Sequence, residues 1–206
     1  MSIKSKALAG ATALGMIAGG LGVAATSAHA STPSCGPSCI NFQNAHSGGV
    51  LDVFKRIART GQPVIEWGNS YIDPAEDFVP EAQGTVHQFY KAGLVSAAFN
   101  LHYRHFWTWE LEYAPYGANT GLCVGTTRTA GNGVPISLQP CGVSAKTLWV
   151  QDYRDRFNGA TPLINGSDNN FSHPYVLTDT ANGLRTYNLT KFSNGVVYDT
   201  QLWTRI

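Results

Sequence analysis

The sequence predicts an all-β fold made of three related four-stranded units. Its clearest segment, residues 121–149, holds Cys123 and Cys141, a Gly-x-Pro turn between them, and Trp149 eight residues after the second cysteine. A modified copy without cysteines lies at residues 49–78, and a third echo closes the chain at Gln201-Leu202-Trp203. The apolar runs are short, and turn residues bound them, as expected for strands. Repetition at this scale indicates one structural unit used several times.

Each unit is predicted to contain four strands. In the first unit they lie near Ile40–Asn44, Val50–Phe54, Val64–Trp67 and Phe78–Pro80. In the second they lie near Trp109–Tyr113, Leu122–Thr126, Ile136–Gln139 and Leu148–Asp152, and in the third near Leu163–Asn165, Tyr175–Thr178, Arg185–Leu189 and Gln201–Arg205. Three such units predict a barrel with a capping layer of hairpins, because closing a sheet removes most of its exposed edges.

The units are expected to span about residues 35–82, 106–155 and 156–206 of a single domain. Residues 83–105 do not fit the repeat and are interpreted as an insertion between the first two units. Within it, Val86, Phe89 and Tyr90 have helical spacing, and Gly93 follows where a helix would end. A short helix is therefore predicted near Thr85–Ala92.

The first 30 residues are predicted to be a signal peptide and not part of the fold. Lys4 and Lys6 precede an apolar Ala/Gly-rich run, and Ala28-His29-Ala30 is typical of a cleavage site. The expected mature chain, residues 31–206, would be secreted into the extracellular medium. The Ala/Gly richness of the leader is typical of bacteria.

The charge balance of the mature chain argues against nucleic-acid and membrane partners. Residues 1–30 contain two of the 14 Lys and Arg residues and none of the 13 Asp and Glu residues, which leaves 12 − 13 = −1. A chain with so little net charge produces no field that would attract nucleic acid or anionic lipid. Lys55, Arg56 and Arg59 form a local basic group, which we interpret as a solvated turn.

The four cysteines all lie in the expected mature chain, and an even number in an exported protein predicts disulfides. Four cysteines allow three pairings, of which Cys35–Cys39 with Cys123–Cys141 is the most local. A redox-active Cys35/Cys39 pair is the alternative, but no βαβ context accompanies it.

These residues resemble the ricin B-type β-trefoil family. The family's unit opens with a Cys-Leu-Asp-Val-like strand, passes through Gly-x-Pro-Val and ends on Gln-x-Trp. The second unit matches with Cys123-Val124, Gly133-Val134-Pro135, Leu138 to Cys141 and Leu148-Trp149. The first matches with Val50-Leu51-Asp52-Val53, Gly61-Gln62-Pro63-Val64, Trp67 and Asp77-Phe78, and the third keeps Gln201-Leu202-Trp203. The resemblance implies a β-trefoil in which the last aromatic of each unit packs in the shared core.

The resemblance also implies sugar binding in a shallow pocket of one or more units. Such a pocket uses an Asp after the opening motif, an aromatic on a later strand, and a nearby Asn or Gln. Carried over, these roles fall on Asp52, Trp67 and Asn69 in the first unit. Asp179 and Tyr187 form a weaker second candidate in the third unit. The second unit has Gly125 where the Asp would fall, so no pocket is expected there.

The leading interpretation is therefore a secreted, non-catalytic protein that binds a carbohydrate or glycoconjugate without a cofactor. The alternative is a secreted β-trefoil that binds or inhibits another protein, motivated by the degenerate pockets and by the Phe, Tyr and His residues of the insertion. A glycoside hydrolase is the third hypothesis and would rest on Glu110 and Glu112, which we expect on the solvent side of a strand. His87, His102 and His105 are interpreted as isolated histidines, so no metal site is predicted.

Overall fold

A computed structural model of the chain describes residues 35–70 and 72–206; the predicted signal segment 1–30 lies outside them. The described chain contains twelve strands and two α-helices. In chain order they are β1 Phe42–Asn44, β2 Val50–Val53, β3 Val64–Trp67, β4 Phe78–Thr85, α1 Val86–Lys91, α2 Ala97–Tyr103, β5 Trp107–Tyr113, β6 Leu122–Thr126, β7 Val134–Pro140, β8 Leu148–Gln151, β9 Leu163–Asn165, β10 Tyr175–Thr178, β11 Arg185–Asn188 and β12 Trp203–Arg205. All twelve predicted strands are present, with shifts at some ends.

The first and last strands of the three units close into a six-stranded barrel. Antiparallel ladders join β12 to β1, β4 to β5, β5 to β8 and β8 to β9. The Ile40 N–H donates to the Phe78 carbonyl (2.9 Å) and joins β1 to β4. Thr161 and Trp203 exchange backbone hydrogen bonds of 2.9 and 3.0 Å, which join β9 to β12. The remaining strands pair as hairpins β2–β3, β6–β7 and β10–β11, the predicted cap.

The three units also repeat their approach to the last strand. A 3₁₀ turn lies two residues before the terminal aromatic in each unit, at Pro74–Glu76, Ala145–Thr147 and Asp199–Gln201. The aromatics that follow, Phe78, Trp149 and Trp203, are fully buried in the main core. Their predicted structural role is confirmed, because one large ring from each unit fills the barrel.

Backbone carbonyls of the hairpins identify the equivalent positions of the three units. The Trp149 indole N–H donates to the Val124 carbonyl (2.9 Å), and that of Trp203 donates to the Leu177 carbonyl (3.0 Å). Phe78 has no such donor; instead the Asn41 amide donates to the Leu51 carbonyl (2.9 Å). Leu51, Val124 and Leu177 are therefore equivalent.

The insertion forms a helical layer on the outside of the barrel. It contains the predicted helix, α1, whose start is fixed because the Gln88 side chain accepts from the Thr85 N–H (2.7 Å). A second helix, α2, follows. Phe89, Phe99 and Tyr103 pack with Val150 and Ile164 in a second buried cluster, separate from the barrel core. Most of the insertion's large aromatic surface is thus used for packing.

The most local disulfide pairing is the one present. Cys35 is bonded to Cys39 and Cys123 to Cys141, with Cα–Cα distances of 5.8 and 5.0 Å. The second bond ties the base of the β6–β7 hairpin. Separately, none of the helices in the described part of the chain has the length and apolar character needed to cross a bilayer.

The expectation that Glu110 and Glu112 face solvent is wrong. Both side chains are only 2% exposed. Glu110 accepts from the Gly142 N–H (2.7 Å) and the Thr147 hydroxyl (2.5 Å), and Glu112 accepts from the Gly121 N–H (2.5 Å). The alternation of apolar and acidic residues along β5 therefore reflects two buried faces. One face is apolar, and on the other the carboxylates accept hydrogen bonds from neighbouring loops.

Candidate functional site

The first-unit hairpin carries a cavity of about 190 Å³ on its outer side, which we call the first-unit pocket. It lies between strands β2 and β3 and the 3₁₀ turn at Pro74–Glu76. Its walls combine carboxylates, cations and apolar side chains: Asp52, Val53, Phe54, Lys55, Arg56, Ile65, Trp67, Asp73 and Ala75. The volume is below the range of typical enclosed ligand pockets, as fits a shallow site.

Strand register explains why Asp52 and Trp67 share this pocket. Asp52 pairs with Ile65, and Val50 pairs with Trp67. Paired residues and residues two apart point to the same face of a sheet, so these four side chains share one face. The intervening Leu51 belongs to the barrel core. Trp67 at the end of β3 is 64% exposed, whereas Asp52 is 6% exposed.

Burial makes Asp52 an unusual carboxyl group. It raises the pKa to about 6, and the nearby carboxylates of Asp73 and Glu76 add to this effect. The Arg56 guanidinium opposes the rise but does not cancel it. The group therefore changes charge close to pH 6, inside the pocket wall.

An ion pair forms the opposite wall of the pocket. The Arg56 guanidinium donates to the Asp73 carboxylate at 2.7 Å. Burial opposes ionisation of Asp73, but hydrogen bonds from Arg56 and the Ala75 N–H lower its pKa overall. Asp73 also precedes Pro74 and caps the 3₁₀ turn, accepting from the Ala75 N–H at 2.9 Å.

The hairpin tip presents two cations through a strained backbone. Lys55 and Arg56 have φ values of 59° and 58°, a left-handed conformation that costs energy in residues with a Cβ. Arg56 thereby reaches Asp73, and the Lys55 ammonium lies over the Phe54 ring at 5.2 Å. Lys55, Arg56 and Arg59 are all exposed, as expected of a solvated turn. Lys55 and Arg56 also line the pocket, which the sequence did not predict.

Asn69, the third residue carried over from the resemblance, takes a different position. It is half-buried two residues beyond Trp67, outside the residues that line the cavity, and it has partners within the chain. Asp73 and Arg56, by contrast, line the pocket and were not predicted. The Asp-Pro pair at 73–74, typical of a helical N-cap, was the available signal for Asp73.

In the third-unit candidate, Tyr187 lies at the position equivalent to Trp67, but Asp179 does not lie at the position equivalent to Asp52. Leu177 is equivalent to Leu51, so Thr178 and not Asp179 is equivalent to Asp52. Tyr187 pairs with Val176 just as Trp67 pairs with Val50, and so it does hold the aromatic position. Asp179 lies one residue further on, its pKa raised by burial and by nearby Glu66. The Tyr187 hydroxyl lies instead beside Gly133.

The equivalent place in the second unit has no room for a side chain. Gly125 is equivalent to Asp52, and a Cβ there would lie 2.9 Å from the Lys146 carbonyl oxygen. The aromatic position is taken by Gln139, which pairs with Cys123. The 3₁₀ turn at Ala145–Thr147 therefore occupies the space in which a carboxylate would stand.

Potential metal ligands come together in the described chain at Cys35, Cys39 and Asp77. The two sulfur atoms are joined in a disulfide and cannot act as thiolates. This grouping therefore does not fit a metal ion.

The chain matches no protein-family model and no curated protein. Among solved structures it is similar to a designed three-fold symmetric protein, ThreeFoil, with a TM-score of 0.54 at 14% identity over 82% of this chain and 99% of the other. It is also similar to the Rhizoctonia solani agglutinin (TM-score 0.49, 16% identity, 82% and 95% coverage) and to the BEL β-trefoil (0.48, 16%, 82% and 92%). The first of these likenesses, with the strand order above, establishes the β-trefoil fold. At such identities the likeness concerns the fold alone.

Proposed function

We propose that this β-trefoil is a secreted, non-catalytic protein that binds a carbohydrate or glycoconjugate through the first-unit pocket. The observation that carries the proposal is the exposed ring of Trp67 beside the Asp52 carboxyl group in one concavity. The Trp67 ring presents its face to solvent beside the carboxyl group, where a ligand can pack against it.

The pocket chemistry suits a sugar ring. A flat aromatic face packs against the C–H face of a pyranose. The Asp52 and Asp73 carboxylates accept hydrogen bonds from hydroxyls, while Arg56 and Lys55 donate, and bonds that involve charged groups are the stronger ones. Two acids and two bases leave no net charge, which favours a neutral saccharide over an anionic one.

The competing functions find less support in the side chains that motivated them. The protein-binding alternative relied on the aromatic residues of the insertion, yet Phe89, Phe99 and Tyr103 pack inward. The hydrolase hypothesis relied on Glu110 and Glu112, which are buried and hydrogen-bonded to loop backbone. Secretion is supported by the two disulfides, since such bonds persist in oxidising compartments.

A glycan array followed by titration calorimetry tests the proposal. We expect Trp67→Ala and Asp52→Asn each to weaken binding of any captured glycan by at least about tenfold, equivalent to about 1.4 kcal/mol. Trp107→Ala is the matched control, because Trp107 is also partly exposed but lies outside the pocket. Binding that survives both pocket substitutions, or no capture of any glycan, would contradict the proposal.

A further inference from the structure

A second and larger cavity lies where the insertion meets the third unit. Its volume is about 510 Å³, within the range of ligand-binding pockets. We call it the helix cleft and define it by His102 and Tyr103 of α2, Asp152 and Arg154 after β8, Phe171 before β10, and Lys191 after β11. It shares no residue with the first-unit pocket and does not occupy a position that the three units repeat, because one wall is the insertion.

One wall of the helix cleft is a fixed polar array. Arg154 donates two hydrogen bonds to the Asp152 carboxylate, at 2.8 and 2.6 Å, and Asp152 is almost fully buried. The same guanidinium lies over the rings of Tyr103 (5.1 Å) and Phe106 (4.7 Å). A bidentate pair that also stacks on two rings loses little further entropy when it meets a ligand.

A second ion pair crosses between chain segments. The Lys191 ammonium donates to Asp155, joining the segment after β11 to the segment after β8. With the Asp152–Arg154 pair, the cleft holds two carboxylates and two cations and has no net charge. Such a site offers many hydrogen-bonding groups without the excess positive charge that phosphate or nucleic-acid ligands require.

An aromatic surface completes the helix cleft. The rings of His102 and Phe171 stack at 5.2 Å with an interplanar angle of 20°. Behind them, the buried Tyr103 hydroxyl lies near the Arg154 guanidinium without a hydrogen bond of normal geometry. The exposed His102 ring in front of it offers a flat face for a sugar ring.

We infer that the helix cleft binds a neutral oligosaccharide, as a second site independent of the first-unit pocket. Aromatic surface, paired carboxylates and cations, and zero net charge are the chemistry of both cavities, but the larger volume accommodates more than one sugar ring. The inference and the proposed function concern the same class of ligand but two sites that share no residue. A test can therefore contradict one and leave the other standing.

Histidine-ring NMR of the full-length protein tests this inference. The probes are neutral tri- and tetrasaccharides built from glucose, galactose, mannose or N-acetylglucosamine. We expect the His102 and His173 ring signals to shift saturably with at least one of them, while the His46 and His87 signals stay in place. Both reporting histidines line the cleft. The Trp67 indole signal reports the first-unit pocket in the same titration.

Two variants separate binding from a structural effect. Ser172→Trp, at an exposed cleft position, should fill the cleft with its side chain. The saccharide affinity obtained from the His173 shift should then fall at least tenfold. Asp52→Asn and Trp67→Ala should leave the cleft response unchanged. His102→Ala should weaken binding, whereas His105→Ala, an exposed histidine three residues away, should not. His102 and His173 signals that stay fixed at millimolar saccharide, or shifts that persist in Ser172→Trp, would overturn the inference whatever Trp67 does.

Discussion

The first and second units have equivalent hairpins, but the outer surface of the hairpin is open in the first unit and covered by a turn in the second. In the first, Asp52 and Trp67 line an open pocket above the Pro74–Glu76 turn. In the second, Gly125 and Gln139 take their places, and the Ala145–Thr147 turn lies against the strand, with the Lys146 carbonyl 2.9 Å from where a Cβ would be. The second hairpin has a disulfide at its base instead of a pocket.

The comparison shows that the repeated fold does not require a repeated site. Each unit supplies the barrel with a buried aromatic and with a hairpin carbonyl that accepts a hydrogen bond. The donor is the Trp149 or Trp203 indole in the second and third units, and the Asn41 amide in the first. The outer face is decided by how closely the 3₁₀ turn approaches the second strand. A binding function can therefore persist in one unit while another serves stability alone.

Placing an aspartate in the second unit is expected to have the largest effect. Gly125→Asp should lower the free energy of unfolding by about 4 kcal/mol without creating a sugar site, because it combines overpacking with an unpaired buried charge. Chemical denaturation measures the change. Gly68→Asp is the control, since open space surrounds Gly68, and it should change stability by less than about 0.5 kcal/mol. Equal stabilities of the two variants would refute the steric account.

Removing the disulfide of the second unit tests whether that unit serves stability. The Cys123→Ala/Cys141→Ala double variant should lose about 3 kcal/mol, since the bond closes a loop with a sequence separation of 18. The Cys35→Ala/Cys39→Ala control, with a separation of 4, should lose about 2 kcal/mol. Thermal unfolding that ranks the two variants in the reverse order would contradict the prediction.

The pocket of the first unit should make stability depend on pH. The pKa of Asp52 is raised from 3.8 to about 6, so the folded state prefers the protonated form. Its contribution is complete below about pH 4 and is lost as the pH rises through 6, a change of about 3 kcal/mol. The difference in unfolding free energy between the wild-type protein and Asp52→Asn should follow this curve. If this difference in unfolding free energy stayed constant from pH 3.5 to 7.5, the predicted destabilisation by ionised Asp52 would be wrong.

Ionisation of Asp52 should also make the affinity for the ligand depend on pH, but affinity should rise with pH where stability falls. Ionised Asp52 is the stronger acceptor for sugar hydroxyls, so affinity should rise as the pH rises through 6. Trp67 fluorescence during saccharide titration at pH 5 and pH 7.5 measures the ratio, which we expect to be about threefold to tenfold. An affinity that does not change between pH 5 and pH 7.5 would show that the Asp52 carboxylate takes no part in binding.

Relief of strain at the hairpin tip should produce the smallest effect. Lys55→Gly should raise the free energy of unfolding by about 1 kcal/mol, because glycine adopts the positive φ without a steric cost. Lys55→Ala is the matched control, since it removes the ammonium but keeps the Cβ and the strain. Similar stability changes in both variants would point to charge and not to the backbone.

Much of the β-trefoil could be predicted from sequence, whereas the pocket walls could not. Short apolar runs, turn residues and the repeated Gly-x-Pro pattern predicted every strand, because each depends on local propensity and spacing. Arg56 and Asp73 are 17 residues apart and meet only because a left-handed turn and a 3₁₀ turn converge on them. Glu110 and Glu112 show the same limit, since alternation along β5 indicates two faces but not what covers each.

The sequence by itself determined the repeat, the buried terminal aromatics and the presence of Asp52 and Trp67 on two consecutive strands. It also contained the reason why the second unit has no pocket, in the glycine at 125. Tertiary structure decided which faces became open or closed, that Asp179 falls one residue out of register with Asp52, and that the insertion covers the barrel to form the helix cleft. Local pattern depends on neighbouring residues, whereas burial and concavity depend on segments brought together from distant parts of the chain.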